Sequence, residues 1–152
     1  MEEMFTYSLR KYLDEYFDEI TRAVIIEDGV SLTGVPKPFA SIQYLGSNDE
    51  ILAAGRTSYE EIHRYQLGLF ATSGQQRSVL REKLRTLLLN PLGIPEYAFP
   101  SGTKTGRRFV MDVDEFTAMT SDEEANETYQ HHGYHIGAIE ILRNVGESTF
   151  TQ

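Results

Sequence analysis

Cysteine is absent from the 152-residue chain. That excludes a disulfide scaffold, a thiolate zinc site, an iron–sulfur cluster and a cysteine nucleophile, and it suits a reducing compartment. No apolar run approaches the roughly 18 residues that span a bilayer. The start, Met1-Glu2-Glu3-Met4-Phe5, lacks the basic flank of a secretory signal, so the expectation is a soluble, unexported chain with no membrane partner. Basic residues are also scarce, 14 against 23 acidic ones, for a formal charge of −9. Such a balance disfavours simple electrostatic capture of nucleic acid or of an anionic lipid surface, because both depend on cationic contacts.

What is present fits one ordinary domain over residues 1–152. The chain is 40% hydrophobic and 24% charged, close to globular averages, and its length buries a core without staples. Charge is segregated. Residues 1–60 hold five basic and eleven acidic side chains, 61–110 hold eight and three, and 111–152 hold one and nine. A basic middle between acidic ends suits copies packed head to tail, where different surfaces meet.

Phe5, Leu9, Tyr12, Leu13, Tyr16, Phe17 and Ile20 recur at helical spacing, predicting an amphipathic helix over 4–22. Val24-Ile25-Ile26 follows as a short strand or a helical continuation, then a turn at Glu27-Asp28-Gly29. Pro36 and Pro38 hold the chain extended, leading into a strand at 39–45 with Ala40, Ile42 and Tyr44 on one side. Gly46-Ser47-Asn48-Asp49-Glu50 reads as a turn and Ile51-Leu52-Ala53-Ala54 as a short return. In 59–72 the residues His63, Tyr65, Leu67, Leu69 and Ala71 share one parity, as in a half-buried strand, while Ile62 and Phe70 imply partial cover on the other face.

Ser73 and Gln76 form a capping-box pattern ahead of a helix with the stripe Leu80, Leu84, Leu87 and Leu88, ending before Pro91. Residues 91–108 read as a long loop or loose hairpin, and Phe109, Met111 and Val113 as a further strand. A second polar stretch spans 117–133. Tyr134–Leu142 then gives an inner strand, apolar on both parities. The elements do not alternate regularly, so the fold class expected is α+β: a mainly antiparallel sheet packed on two main helices, with two long loops. Long loops in a compact domain are often functional, so 100–108 and 117–133 are expected to order against a partner.

Catalytic signals are weak. His131, His132 and His135 could offer imidazoles to a metal, but His132 and His135 differ in strand parity and His131 precedes the strand. His63 is expected to pack beside Tyr65 or at a subunit contact. Asp112 and Asp114 share a strand face without a nucleophile or pocket nearby in sequence, and Asp122-Glu123-Glu124 lacks the ligand spacing of a calcium loop. Gly102-Thr103-Lys104-Thr105-Gly106 lacks the spacing of a phosphate loop. No cofactor and no catalytic residue is assigned. The candidate contact residues are cationic, apolar or acidic surface positions: Arg77, Arg81, Arg85 and Leu89 on the second helix, Lys104, Arg107 and Arg108 after it, and Asp122, Glu123 and Glu124. The three arginines stand four apart, so like charges repel mildly and carboxylates in this or another subunit would relieve them; stems lying over the core are the alternative.

The order of segments resembles the tail-terminator and neck-associated proteins of tailed bacteriophages and phage-like elements of Gram-positive bacteria. The resemblance rests on Pro36-Lys37-Pro38-Phe39, the stretch Asp49 to Arg56, Tyr65 to Ala71 before the leucine-rich helix, Gly106 to Val113, and His131-His132-Gly133-Tyr134. It implies a non-enzymatic virion protein, typically a hexameric ring. Such a ring caps the tail tube protein, joins head-completion or neck proteins, and lets DNA pass without sequence-specific binding. It would assemble in the host cytoplasm. A head-closure, adaptor or minor capsid protein is the nearest alternative. A metal-dependent hydrolase, using His131, His132 or His135 with Asp112 or Asp114, is a remote one.

Overall fold

A computed structural model of the chain describes residues 2–27, 31–51, 58–119 and 130–144. The element order is α1 (Glu2–Tyr16), β1 (Ala23–Ile25), β2 (Phe39–Ile51), β3 (Ser58–Phe70), α2 (Gly74–Leu88), β4 (Ile94–Tyr97), β5 (Lys104–Phe109), β6 (Met111–Val113), β7 (Thr117–Met119) and β8 (His132–Asn144). The main sheet runs β1-β2-β3-β8-β6, with β7 also paired to β8, and β4–β5 form a separate two-stranded sheet. Only β1 on β2 is parallel among the described pairings; the others are antiparallel. The class is α+β, as the sequence pattern implies.

The first helix is shorter than its apolar period. It stops at Tyr16, yet Phe17 and Ile20 are still buried. The Asp14 carboxylate accepts the Ala23 amide at 2.7 Å, which fastens the returning chain over the helix end so that β1 can lie beside β2. The expected turn at 46–50 is instead strand. Gly46, at φ 119°, takes a register shift against β3, a bulge that a left-handed-region glycine accommodates. Pairing with β3 then carries the polar residues on to Ile51; Leu52, Ala53 and Ala54 lie outside the described residues, as do Asp28 and Gly29 of the expected earlier turn.

One sheet face holds the principal core. Cross-strand partners Ala40–Leu69, Ile42–Leu67 and Tyr44–Tyr65 point at Leu9, Leu13, Leu80 and Leu84, so both helices share a single apolar layer with the sheet. The opposite face is covered at one end, where Leu32 packs on the stacked rings of Phe39 and Phe70. This accounts for Phe70, one of the two apolar parity breaks in β3. The inner position expected for the last strand is observed: β8 lies between β3 and the short strands β6 and β7.

Helix α2 begins as its sequence pattern predicts. Ser73 Oγ accepts the Gln76 amide, while Gln76 Oε1 accepts both the amide and hydroxyl of Thr72. The reciprocal half of the box is therefore one residue further out. The stretch 91–108 is the hairpin of the two expected alternatives, with Ile94 opposite Phe109 and Tyr97 opposite Lys104.

Candidate functional site

The most distinctive surface is the β4–β5 hairpin. β4 is buried throughout and β5 is exposed along nearly its whole length, so one strand belongs to the core and its neighbour to solvent. The Tyr97 amide donates to the buried Ser8 hydroxyl at 2.9 Å and the Tyr97 phenol to Glu15 Oε2 at 2.6 Å, tying β4 to α1. This bond, with Lys104 beside it, holds the Glu15 carboxyl below its ordinary range. Burial and the same carboxylate push the Tyr97 phenol up.

The cations expected to await a partner are engaged within the chain. Lys104 Nζ donates to the Tyr16 hydroxyl, the leading reason its pKa is raised, and lies 3.5 Å from Glu15. Arg107 reaches Glu96 Oε1 through Nε at 3.0 Å and Nη2 at 2.6 Å. Glu96 is only 7% exposed and also accepts from Thr105, so a buried carboxylate is satisfied by one strand of its own hairpin. Arg108 donates to the Gly93 carbonyl. The expectation that 100–108 orders only against a partner is therefore corrected: this segment is built in cis, because buried Glu96 and Tyr97 give it fixed partners. Sequence reasoning passed over both. The available signal was a lone acid in an otherwise basic stretch.

On α2, Arg77 donates to the carbonyls of Met119 and His132, bridging the helix to β7 and the start of β8. Arg81 is exposed and 3.8 Å from Glu82. Arg85 lines a cleft with Arg81, Glu82, Glu115, Phe116 and His135. Leu89 is the exposed C-cap residue, its amide bonded to the Arg85 carbonyl. Thus the three arginines have three different surroundings. Asp122, Glu123 and Glu124 lie outside the described residues.

The histidines do not converge. His132 stacks on Phe70 on one sheet face, whereas His135 Nδ1 donates to the Asp114 carbonyl and its ring meets Phe116 on the other. His131 sits at φ 56° in the preceding turn. His63 is buried against Phe5, Tyr44 and Glu61, the strand packing expected for it, though with Tyr44 rather than Tyr65 as its hydrogen-bonded tyrosine. Among the described residues no group of three His, Asp or Glu side chains is placed to hold a metal.

Large apolar side chains stand uncovered at both ends of the hairpin. Leu92 and Val110 are 74% and 66% exposed near its base, and Phe99 is 77% exposed near its tip. Beside the tip, a broad open groove of about 890 Å³ runs between α1, β1 and the hairpin, with Met4, Tyr7, Ile25 and Phe99 among its walls. No helix of the described residues is long and apolar enough to cross a membrane. Comparison with known proteins finds no family model and no curated protein that matches the chain.

Proposed function

We propose that the chain is a structural virion protein, a tail terminator whose copies form a ring, hexameric in the family it resembles, that caps the tail tube and joins it to the neck. The observation that carries this reading is the β4–β5 hairpin: its outer strand pairs with β4 alone among the described residues and is flanked by exposed Leu92, Phe99 and Val110. An open strand edge with uncovered apolar side chains is a template for another chain. Exposed Arg108, which donates to the Gly93 carbonyl and is in no ion pair among the described residues, suits a neighbour's acidic surface, such as exposed Asp112, Asp114 and Glu115 at the β6 edge. Contacts between unlike surfaces are what a ring requires. The residues that carry the resemblance support the same reading by their places: Tyr65–Phe70 lies in β3 directly before α2, and His132 opens β8.

The test is the mass of the purified chain by light scattering over a range of concentration, then with purified tail tubes added. A sixfold particle, or a monomer that becomes sixfold only on tube ends, is expected. A monomer or dimer indifferent to tubes would overturn the assignment, and a twelvefold particle on head rather than tail particles would replace it with a head-side adaptor.

A further inference from the structure

The cleft between α2 and β8 contains an unsatisfied nitrogen. His135 is 1% exposed, and its Nδ1 lies 2.8 Å from the Asp114 carbonyl oxygen. A carbonyl can only accept, so Nδ1 carries the proton and Nε2 is left as an acceptor. That Nε2 is buried and has no hydrogen-bond partner. Among the described residues two other buried side-chain atoms share this condition, Arg10 Nε and Ser41 Oγ, and neither residue lines this cleft. Of the three, His135 is the residue that lines this cleft, a cavity of about 340 Å³, with Nε2 buried behind its wall.

The walls define what would satisfy it. Arg81 and Arg85 contribute cations, and Arg85 has no carboxylate within ion-pair distance among the described residues. Glu82 and Glu115 contribute anions, and Phe116 stands edge-on to the imidazole at 5.1 Å. A ligand that fits must donate one hydrogen bond to Nε2 and accept others from the guanidinium groups. A plain carboxylate or sulfate accepts only. A cation would satisfy Nε2 but face two arginines. A phosphoryl group with a second ionisation near pH 6 exchanges readily between a fully charged form and one that keeps an O–H beside its charged oxygens, the latter a minor fraction at neutral pH when free. The two glutamates with the Nε2 acceptor select that protonated form on binding.

We propose that this cleft binds a phosphoryl group with an ionisable hydroxyl, as inorganic phosphate or a phosphomonoester, with P–O–H donating to His135 Nε2 and the charged oxygens held by Arg85 and Arg81. The bound state shares one proton between oxygen and nitrogen. Because Nε2 is closed off from water, binding includes a side-chain adjustment in the Phe116 and arginine wall. Burial, together with the Arg85 and Arg81 charges, lowers the pKa of the empty imidazole, and a bound anion opposes that shift. The site is independent of the ring reading, since it lies within one chain.

The experiment follows the His135 imidazole by NMR in a phosphate-free buffer at pH 7 while inorganic phosphate, a phosphomonoester, a dimethyl phosphodiester or sulfate is added. Saturable shifts are expected with the first two, whichever is tighter naming the source, and at least about tenfold weaker responses with the diester and sulfate, which lack the hydroxyl. Exchanging Arg85→Gln, at an exposed helix position, should leave the thermal melt in place and remove the saturable shift. Equal responses to sulfate and phosphate, retention of binding in Arg85→Gln, or no His135 response to any of the four would each overturn the proposal.

Discussion

Gly133 shows how tightly single atoms are specified. A Cβ built there would collide with the Phe116 ring and stand 2.7 Å from the Thr117 carbonyl oxygen, and a backbone atom cannot rotate away. Gly133→Ala is therefore expected to destabilise the fold by about 1–3 kcal/mol, the usual cost of overpacking, read from the urea midpoint. At Gly137 the obstacle is the Met111 side chain, which is flexible, so alanine there should cost less. His135 makes the corresponding electrostatic prediction. Burial, the leading cause, together with the nearby arginines lowers its pKa from the ordinary 6.5. The unfolded chain then binds this proton more readily than the folded one. Its contribution is complete above about pH 6.5 and declines as pH falls from there through the lower, folded value. Imidazole shifts in phosphate-free buffer should place the His135 titration below that of an unfolded reference; a midpoint at or above it would contradict the burial seen here.

The elements differ in how openly their causes are written. In α2 the cap and the stripe are adjacent in sequence, so Ser73, Leu80, Leu84 and Leu88 have their expected roles. Ser73→Ala should cost about 1 kcal/mol, with Ser73→Asp close to neutral, measured by thermal melting; equal losses in both would mean that the hydroxyl contact contributes nothing. Opposite parity likewise predicted that His132 and His135 point to opposite faces, and they do. Elsewhere the local pattern is incomplete. The helical period in α1 continues past the last helical residue because Phe17 and Ile20 are buried by a turn that Asp14 holds. Residues 46–50 look like a turn in isolation, yet a long antiparallel partner keeps them extended. Propensity yields wherever a ladder or a core contact is worth more than the local preference.

For the molecule as a whole, the charge pattern has two readings that only geometry separates. A basic middle and acidic ends suggest contacts between copies, but Lys104–Glu15 joins the middle to an acidic end inside one chain, and Arg107 is paired within the middle by Glu96. What remains for association is less the charge than the open β5 edge and the uncovered apolar side chains. Replacing Leu92 and Phe99 together by serine should leave the monomer's stability within about 1 kcal/mol, because surface positions contribute little to folding. It should also lower the concentration-dependent mass and the tube binding of the parent chain. Light scattering beside a urea titration separates the two effects. Loss of folding would show these side chains to be core, and unchanged association would move the interface elsewhere.

Some properties are local and are therefore written along the chain. Which residues alternate, where a cap and a stripe begin a helix, which side of β3 is apolar, and that the class is α+β all depend on neighbours a few positions apart. The tertiary structure alone decided which distant groups meet. Glu96 finds Arg107 because the hairpin closes in one register, and the Arg85 helix lies over His135 because β8 is threaded between β3 and β6. Such pairings depend on crossing order, register and burial. These are set by the joint packing of both helices on one sheet face, and no window of sequence contains them.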